Sequence, residues 1–525
     1  MVKALMIQGT SSNAGKSLFV TALCRIYMKR GYKVAPFKSQ NMSLNSYTTS
    51  ENGEMAIAQY LQSIAAKVEP EVDMNPILLK PKGNFTSQVI IQGKVIGDMN
   101  FYDYQHQFKD EAVKAYHESY KRLADKNDII FIEGAGSPAE INMRDEDIAN
   151  MDVAHMANAN VILVADIDRG GVFASIAGTF ALLDDRDLSR LKAVIINKFS
   201  GNLDILKPGI DKIEKIINAP VLGVVPYDKS LKLPEEDSQS LQDHDYFKEE
   251  GEKDIVIGVI KLPKIANFTD IDPFEVEEDT SLRMISVYDS PDVLDNVDAI
   301  IIPGTRTSTE DAKALYDNGL YDKIIELAEK IPVIGICGGY QILGQELIDE
   351  SMQESHLKHV KGLGLLDIKT EFKNQKKAAC QTKAIIPSND KLLGLSKILF
   401  KDLEGCEITG YEQHEGTSEI TNNIETHPLF IVKEGVGNEF GGKYDGACYK
   451  GLVWGTYIHG IFHNYIIRRN FLNYIRSKKG LKLDTKGIDP YEDSLDQSIE
   501  QLAKLIEDNV NMDYIDKLIF GDEIQ

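Results

Sequence analysis

The sequence has little cysteine, little tryptophan and no long apolar run. Its 525 residues include 5 cysteines and 1 tryptophan. The cysteines are scattered and never spaced as Cys-x-x-Cys, which argues against a disulfide framework or a structural zinc site. No apolar run approaches the roughly 18 residues that a membrane span needs, and Met1 leads directly into a short apolar strand candidate. These absences predict a cytoplasmic chain with no secretory signal and no membrane partner.

Basic residues are also in deficit. The chain has 58 lysines and arginines against 81 aspartates and glutamates, a net charge of -23. Phosphate backbones repel such a surface, so nucleic acid is not expected as a partner. An anionic substrate must instead be bound by local basic groups. The hydrophobic content of 43% is typical of a globular protein, and the length predicts roughly two to four domains.

The first part of the chain alternates apolar, β-branched runs with helical patterns. Runs that are apolar almost throughout predict strands buried on both faces of a parallel sheet. One intervening stretch, residues 16–29, has an apolar helical face and is followed by Gly31, which is suited to ending a helix. The strand candidates are residues 4–7, 34–37, 129–132, 161–165, 193–196 and 221–225.

The composition changes to polar and charged around residues 228–254, as in a linker. A second strand–helix series follows, and near the C-terminus apolar residues at helical spacing predict an amphipathic helix packed on the body of the protein. The predicted fold class is α/β with two doubly wound domains. The predicted boundaries are residues 1–230, a charged linker at 231–253, a second domain at 254–475 and a helical tail at 476–525.

The first candidate site is a phosphate-binding loop at residues 9–17, Gly-Thr-Ser-Ser-Asn-Ala-Gly-Lys-Ser. Small residues between a strand and a helix let backbone N–H groups face a polyphosphate, while the lysine reaches the β and γ oxygens. The spacing is one residue longer than the common Gly-x4-Gly-Lys-Ser/Thr form. The alternative is a turn that binds nothing. The predicted nucleotide-binding residues are Gly9, Thr10, Asn13, Ala14, Gly15, Lys16, Ser17 and, at the end of a later strand, Asn197.

Two predictions concern the surroundings of this loop. Ser17 and Glu133, which ends an apolar strand before Gly134, are predicted to hold Mg²⁺, although a strand-end carboxylate could also be merely solvated. Asn197 could read the adenine edge, although polar residues are common at strand ends. Polar and basic loops nearby are suited to a large anionic ligand, with ordinary solvated loops as the alternative. Their candidate substrate residues are Lys38, Gln40, Asn41, Lys80 and Arg169.

The second candidate site is a cysteine between a strand and a helix, in Gly335-Ile-Cys337-Gly338-Gly339. Glycines on both sides permit the strained turn of a nucleophile, and the start of a helix stabilises negative charge on the sulfur. The N–H of Gly338 and that of Gly304, in the loop Pro-Gly-Thr-Arg, are predicted to form the oxyanion hole. The alternative is a packed structural cysteine.

A thiolate nucleophile needs a partner base. His459 follows an apolar strand and precedes Gly460, which makes it the predicted catalytic base. His463 and His414 are the rival candidates. Isolated histidines are more often structural, so this prediction depends on the placement of His459 in the same half of the chain as Cys337.

Several strings, taken together, resemble the cobyric acid synthase family. They are residues 9–17, the loop Ser39-Gln-Asn-Met-Ser43, Met74-Asn-Pro76, residues 258–274 and 303–306, and Cys337 with His459. The likeness extends over nearly the whole chain. It implies a dethiobiotin-synthetase-like P-loop NTPase synthetase domain and a flavodoxin-like class I glutamine amidotransferase domain. Ordinary class I enzymes have a glutamate two residues after the histidine; here Ile461 stands there, as in the cobyric acid synthase branch, so another group must orient the imidazole.

The resemblance implies an ATP- and glutamine-dependent carbon–nitrogen ligase of cobalamin biosynthesis. Its substrates would be glutamine, ATP with Mg²⁺, and the peripheral b, d, e and g carboxylates of adenosylcobyrinic acid a,c-diamide, a corrinoid. No permanently bound prosthetic group is expected, and a homo-oligomer is left open. The alternatives are cobyrinic acid a,c-diamide synthase and a P-loop regulatory or partitioning ATPase, which would not need Cys337 and His459.

Overall fold

The structure is a computed structural model that describes residues 2–521, except 84, 229, 235–252, 318, 374–376 and 440. The chain forms two compact units. Unit 1 comprises Met1–Ser43, Glu54–Glu236 and Asp493–Gln525, and unit 2 comprises Leu44–Gly53 and Asp237–Glu492. Most of the predicted linker, 231–253, lies outside the described residues. The predicted domain boundaries stay predictions, and the units differ from them at two places, the segment Leu44–Gly53 and the C-terminal tail.

Unit 1 is built on a six-stranded sheet whose paired strands are all parallel. The strands are β1 (Lys3–Gly9), β2 (Val34–Phe37), β3 (Ile129–Glu133), β4 (Asn160–Asp166), β5 (Leu191–Phe199) and β6 (Val221–Pro226). The order across the sheet is β6-β5-β4-β1-β3-β2. Each strand contains one of the six predicted runs, so the prediction of a buried parallel sheet is confirmed.

Crossover helices connect these strands. The predicted helix over 16–29 is present as Lys16–Lys29, and Gly31 follows it with φ 91°. The remaining strands of the unit are Gln40–Met42, Glu54–Ala56, Ile77–Gly83, Thr86–Ile91 and Lys94–Asn100. Its other helices and helical turns are Ile57–Ala66, Val72–Met74, Phe101–Asp103, Tyr104–Phe108, Lys109–Ala124, Ile141–Glu146, Met151–Met156, Val172–Leu182, Asp185–Leu188, Leu203–Ile217, Pro490–Asn509 and Met512–Phe520.

The C-terminal helices complete the core of unit 1. Ile499, Leu502 and Ile506 are buried in the same apolar cluster as Phe19 and Leu23 of the first helix. Burying such side chains stabilises a fold by about 1.5–3 kcal/mol each. The predicted amphipathic tail helix is therefore present, and it packs on the first crossover helix.

Unit 2 has a seven-stranded sheet. The strands are β7 (Ile255–Lys261), β8 (Thr280–Ser286), β9 (Ala299–Ile302), β10 (Val333–Ile336), β11 (Thr426–His427), β12 (Ala447–Tyr449) and β13 (Val453–Thr456). Their order across the sheet is β8-β7-β9-β10-β13-β12-β11. The first five strands in this order are paired in parallel, and the last two join them as antiparallel neighbours.

Smaller elements surround this sheet. The helices and helical turns are Phe268–Phe274, Pro291–Leu294, Ser308–Asp317, Leu320–Ala328, Gly338–Leu343, Asn389–Lys391, Gly394–Leu399, Ile461–His463 and Tyr465–Lys479. The other strands are Ser46–Thr48, Glu346–Ile348, His359–Lys361, Ile368–Glu371, Ala378–Ile385, Glu407–His414, Thr417–Ile420, Phe430–Glu434 and Tyr444–Asp445. No helix among the described residues of either unit is both long and apolar enough to cross a membrane.

Candidate active site

The phosphate loop joins β1 to the helix that begins at Lys16. Asn13 and Gly15 adopt positive φ angles of 58° and 102°, which curl the backbone between strand and helix. The Lys16 ammonium spans the curl, with Nζ 2.8 Å from the Ser11 carbonyl oxygen and 3.2 Å from that of Gly136. A cation held over a loop of small residues at a helix N-terminus can bind a polyphosphate.

Asn197, near the end of β5, contacts this loop through its side chain. Its amide Nδ2 donates to the Ala14 carbonyl oxygen at 2.9 Å. A Cβ atom at Gly15 would lie 2.1 Å from the same nitrogen, so position 15 requires glycine for space as well as for its φ angle. The side chain therefore contacts the loop backbone, while the predicted contact with adenine stays a prediction.

Glu133, at the end of β3, is fully buried and surrounded by donors. Its Oε1 accepts from Ser17 Oγ at 2.9 Å and from Lys38 Nζ at 2.7 Å. Its Oε2 accepts from Gln62 Nε2 at 2.6 Å and from Gln59 Nε2 at 3.2 Å. The Lys38 charge offsets the cost of burying this carboxylate.

The Ser17 and Glu133 oxygens fit Mg²⁺ in chemistry, since this ion prefers hard oxygen ligands and usually keeps several waters. Among the described residues there is no group of three or more His, Cys, Asp or Glu side chains that could hold a metal ion. Binding of Mg²⁺ by Ser17 and Glu133 stays a prediction.

The predicted substrate residues are mostly engaged in contacts within unit 1. Lys38 pairs with Glu133, Gln40 accepts from Tyr104, Asn41 donates to Gln59, and Lys80 pairs with Glu54 at 2.6 Å; Arg169 is exposed. Lys38, Asn41 and Lys80 are each less than a tenth exposed. Lys38 bonds Glu133 directly and Asn41 is linked to it through Gln59, and contact of any of these three side chains with a substrate stays a prediction.

Cys337 occupies the sharp turn between β10 and the helix Gly338–Leu343. Its backbone has φ 52° and ψ −110°, a conformation that side-chain-bearing residues rarely adopt. Strained residues of this kind cluster at active sites. A Cβ atom at Gly339 would lie 1.9 Å from the Ile302 carbonyl oxygen, so the turn can form only with glycine there. The flanking glycines thus serve the strained turn, as the sequence predicts.

His459 lies three residues after β13 and is almost completely buried. Its Nδ1 is 2.7 Å from Asp270 Oδ2, and its imidazole lies near enough to the Cys337 sulfur for that sulfur to raise its pKa. The other Asp270 oxygen accepts from the Gly460 N–H at 2.6 Å. Cys337, His459 and Asp270 are therefore arranged like the members of a catalytic triad, and the roles of Cys337 as nucleophile and His459 as base stay predictions.

The charges around the imidazole decide its protonation. Burial alone would lower the pKa of His459, but the Asp270 carboxylate and the Cys337 sulfur raise it to about 10. The imidazole consequently holds its proton across the neutral pH range. A protonated imidazole beside the sulfur favours the thiolate, the reactive form of cysteine.

The two rival histidines have other environments. His414 lies 3.1 Å from Glu412 Oε2 and stacks on the Tyr457 ring at 3.8 Å between centroids. His463 is buried, which lowers its pKa to about 4 and keeps it neutral. These surroundings favour a structural role for both, and they leave His459 as the histidine beside Cys337.

The two segments predicted to form the oxyanion hole adjoin the triad. A Cβ atom at Gly304 would lie 2.9 Å from His459 Cε1, and one at Gly338 would lie 3.0 Å from the Thr305 backbone nitrogen. The Gly304 segment therefore borders both the imidazole and the residue after the nucleophile. This proximity agrees with the prediction for Gly304 and Gly338 without testing which N–H groups bind an oxyanion.

The sequence argument missed Asp270. It left open which group orients His459, because Ile461 stands where class I enzymes have a glutamate. Asp270 and His459 are 189 positions apart in the sequence, so no local pattern could reveal their contact. A signal was nevertheless present, since Asp270 belongs to residues 258–274, one of the strings that resemble the family.

Two family models match the chain. Residues 5–241 match the CobQ/CobB/MinD/ParA nucleotide binding domain, and residues 256–466 match the CobB/CobQ-like glutamine amidotransferase domain. The two matches confirm two α/β domains, the first with nucleotide-binding and the second with amidotransferase character. They contain the phosphate loop and the cysteine–histidine pair, respectively.

Full-length relatives carry one name. The chain is 53% identical to a probable cobyric acid synthase of Methanothermobacter thermautotrophicus over 99% of both chains. It is 46% identical to a probable cobyric acid synthase of Methanocaldococcus jannaschii over 98% of this chain and 99% of the relative. It is 42% identical to a cobyric acid synthase of Pelotomaculum thermopropionicum over 99% of this chain and 97% of the relative.

Proposed function

The chain belongs to the cobyric acid synthase family, and from this membership and the two sites we propose that it amidates corrinoid carboxylates with nitrogen from glutamine. The substrate is the peripheral b, d, e and g carboxylates of adenosylcobyrinic acid a,c-diamide, and ATP drives each amidation in the cytoplasm. The observation that carries the proposal is the buried Cys337–His459–Asp270 triad in a chain that also has a phosphate loop.

Unit 2 releases ammonia from glutamine. The Cys337 sulfur attacks the side-chain carboxamide carbon, and the oxyanion that forms accepts hydrogen bonds from the N–H groups of Gly304 and Gly338. The C–N bond then breaks while His459 gives its proton to the amide nitrogen, which departs as ammonia and leaves a thioester. Water attacks the thioester, His459 takes a proton from that water, and the C–S bond breaks to release glutamate and restore the thiolate beside the protonated imidazole. Asp270 holds the imidazole in the required orientation throughout.

Unit 1 activates the acceptor. A carboxylate oxygen is a poor leaving group, so the γ-phosphoryl group of ATP is first transferred to it to make an acyl phosphate, which ammonia then attacks. Lys16 and the loop N–H groups bind the phosphates and offset the charge on the moving phosphoryl group. Ser17 and Glu133 would hold Mg²⁺, which when bound neutralises phosphate charge.

The direct test is mass spectrometry of the diamide corrinoid after incubation with ATP and glutamine labelled with ¹⁵N in the side-chain amide. We expect successive products, each with one more carboxylate converted to a ¹⁵N-labelled amide. A corrinoid that stays unchanged while glutamate is released would contradict the assignment of the substrate.

The alternatives give different results in the same experiment. Cobyrinic acid a,c-diamide synthase would amidate cobyrinic acid and leave its a,c-diamide unchanged. A regulatory or partitioning ATPase would hydrolyse ATP and release no glutamate from glutamine. The string at residues 258–274, which resembles the cobyric acid synthase family and contains the carboxylate Asp270 beside His459, supports the first proposal over both.

A further inference from the structure

A short segment from the N-terminal half of the sequence belongs to unit 2. Leu44–Gly53, called the arm below, groups with unit 2, whereas the residues on either side of it group with unit 1. The flanking residues are fastened within unit 1, where Ser43 N–H donates to the Leu79 carbonyl oxygen and Glu54 pairs with Lys80. The proposed synthetase reaction gives the arm no role.

The arm contacts residues that touch the triad. Asn45 Oδ1 accepts from the Asn267 N–H at 2.8 Å, and the Ser46 N–H donates to Asn267 Oδ1 at 3.0 Å. Ser46 Oγ donates to Gln413 Oε1 at 2.6 Å, and Gln413 Nε2 donates to Thr48 Oγ1 at 2.9 Å. These hydrogen bonds lie among buried residues, where they are worth most.

Asn267 and Gln413 lie directly beside the reacting groups. Asn267 Nδ2 is 3.3 Å from His459 Nε2, and the Gln413 carbonyl oxygen is 3.5 Å from Cys337 Sγ. Asn267 Nδ2 also donates to Gln413 Oε1 at 3.2 Å. The arm therefore contacts His459 through Asn267 and Cys337 through Gln413, with one residue between the arm and each group.

The arm fixes which end of the Asn267 amide faces the imidazole. A backbone N–H can only donate, so the Ser46 N–H requires the amide oxygen on its side and directs the NH₂ group towards His459. An NH₂ group cannot accept a proton. When His459 is protonated, its Nε2–H consequently has no acceptor at Asn267 and can turn to the Cys337 sulfur, which interacts with this imidazole.

We propose that Asn267 is a positioning residue of the glutaminase site and that the arm holds it in its working orientation. The proposal rests on the proposed glutaminase function. It implies that glutamine hydrolysis in unit 2 reaches its full rate only with the arm in place. The residues that flank the arm in the sequence, Ser43 and Glu54, belong to unit 1. Without this arrangement the imidazole N–H can turn away from the sulfur. Misplacement of a reacting group by about 1 Å costs on the order of 10²-fold in rate.

Two substitutions of Asn267 distinguish positioning from packing. The residue has φ 53° and ψ 39°, a left-handed conformation that Asp and Gly both tolerate. Asn267→Asp keeps the shape but puts an acceptor oxygen beside His459 Nε2, whereas Asn267→Gly removes the side chain. We expect kcat for glutamine hydrolysis to fall about 10²-fold in the Asp variant and less in the Gly variant, with ammonia-dependent amidation unchanged in both.

A packing role predicts the reverse order, because Asp fills the space and Gly leaves a cavity. The proposal is overturned if the Asp variant keeps the wild-type kcat or is the more active of the two. Wild-type protein is assayed in parallel: if it releases no glutamate, the proposed function fails, whereas an active wild type with the wrong variant order defeats only this inference.

The arm itself is tested with a matched pair. Asn45→Ala removes the acceptor for the Asn267 N–H. We expect glutaminase kcat to fall in this variant, as in Asn267→Gly. Asn52→Gly is the control, since Asn52 is exposed in the same arm, has φ 61° and bonds the Gln381 N–H instead. Equal kcat values for the two arm variants would contradict a role for the arm at His459.

Discussion

At the residue scale, Asp270 is the carboxylate beside His459. The sequence has Ile461 where ordinary class I enzymes have a glutamate for this purpose. The two Asp270 oxygens are bound by His459 Nδ1 and the Gly460 N–H, at 2.7 Å and 2.6 Å. The same carboxylate raises the pKa of His459 against the opposing effect of burial. Orientation and charge therefore come from one side chain, and substitution of that side chain should alter both.

Asp270→Asn keeps the shape of the side chain and removes its charge. Burial then lowers the pKa of His459, so the imidazolium–thiolate pair becomes less populated at neutral pH. We expect glutaminase kcat to fall by about 10²–10⁴-fold. Loss of one electrostatic contact typically gives the smaller effect, and a triad histidine in the wrong tautomer gives the larger one. The pH midpoint for alkylation of Cys337 by iodoacetamide should move upwards.

The alkylation measurement needs a background correction, because Cys380 and Cys406 are partly exposed. Labelling of a Cys337→Ala chain provides it. An unchanged pH midpoint in Asp270→Asn would show that the carboxylate does not control the protonation of the pair.

The C-terminal helix Pro490–Asn509 is the clearest case at the scale of the element. Its apolar face lies in the core of unit 1, and Arg25 of the first crossover helix is fully buried against its acidic residues, 2.7 Å from Glu500 and 2.8 Å from Asp496. The tail therefore contributes to the stability of unit 1.

Leu502→Ala tests this contribution. The side chain is 2% exposed, so its truncation leaves a cavity, and we expect the free energy of unfolding to fall by about 2–5 kcal/mol. Lys504→Ala on the exposed face of the same helix is the control, because its ion pair with Asp508 is solvated and contributes little. Equal urea midpoints for the two variants would contradict a core position for this helix.

The elements that the sequence predicts best are those with strong local periodicity. The helix Lys16–Lys29 and the strand Val34–Phe37 have the predicted limits. Alternation of buried strands with amphipathic helices is a local property, so a single sequence suffices to predict it.

The features that the sequence did not predict depend on long-range contacts. The arm carries no periodic signal, and Ser46 is 221 residues from Asn267. The phosphate loop and the cysteine turn could be predicted because their chemistry is contiguous in the chain. Asp270 and Asn267 could not be assigned roles because folding alone brings them to His459.

At the scale of the whole molecule, each unit carries one half of the proposed chemistry. Lys16→Ala removes the cation that is proposed to bind the phosphates and that lies 2.8 Å from the Ser11 carbonyl oxygen. We expect amidation to be lost with either glutamine or ammonia as nitrogen source, because the carboxylate is no longer activated, while glutamine hydrolysis persists. Glutamate release and corrinoid amidation are measured in the same reaction. Retained ammonia-dependent amidation would contradict the assignment of the loop.

The central claim is that a thiol in unit 2 produces the ammonia that an ATP-dependent centre in unit 1 consumes. Corrinoid amidation by Cys337→Ala, measured with glutamine and separately with ammonium salt, tests it most directly. We predict that the variant forms no amide from glutamine and amidates at near wild-type rate with ammonia. Loss of both activities, or retention of the glutamine-dependent one, would contradict the claim.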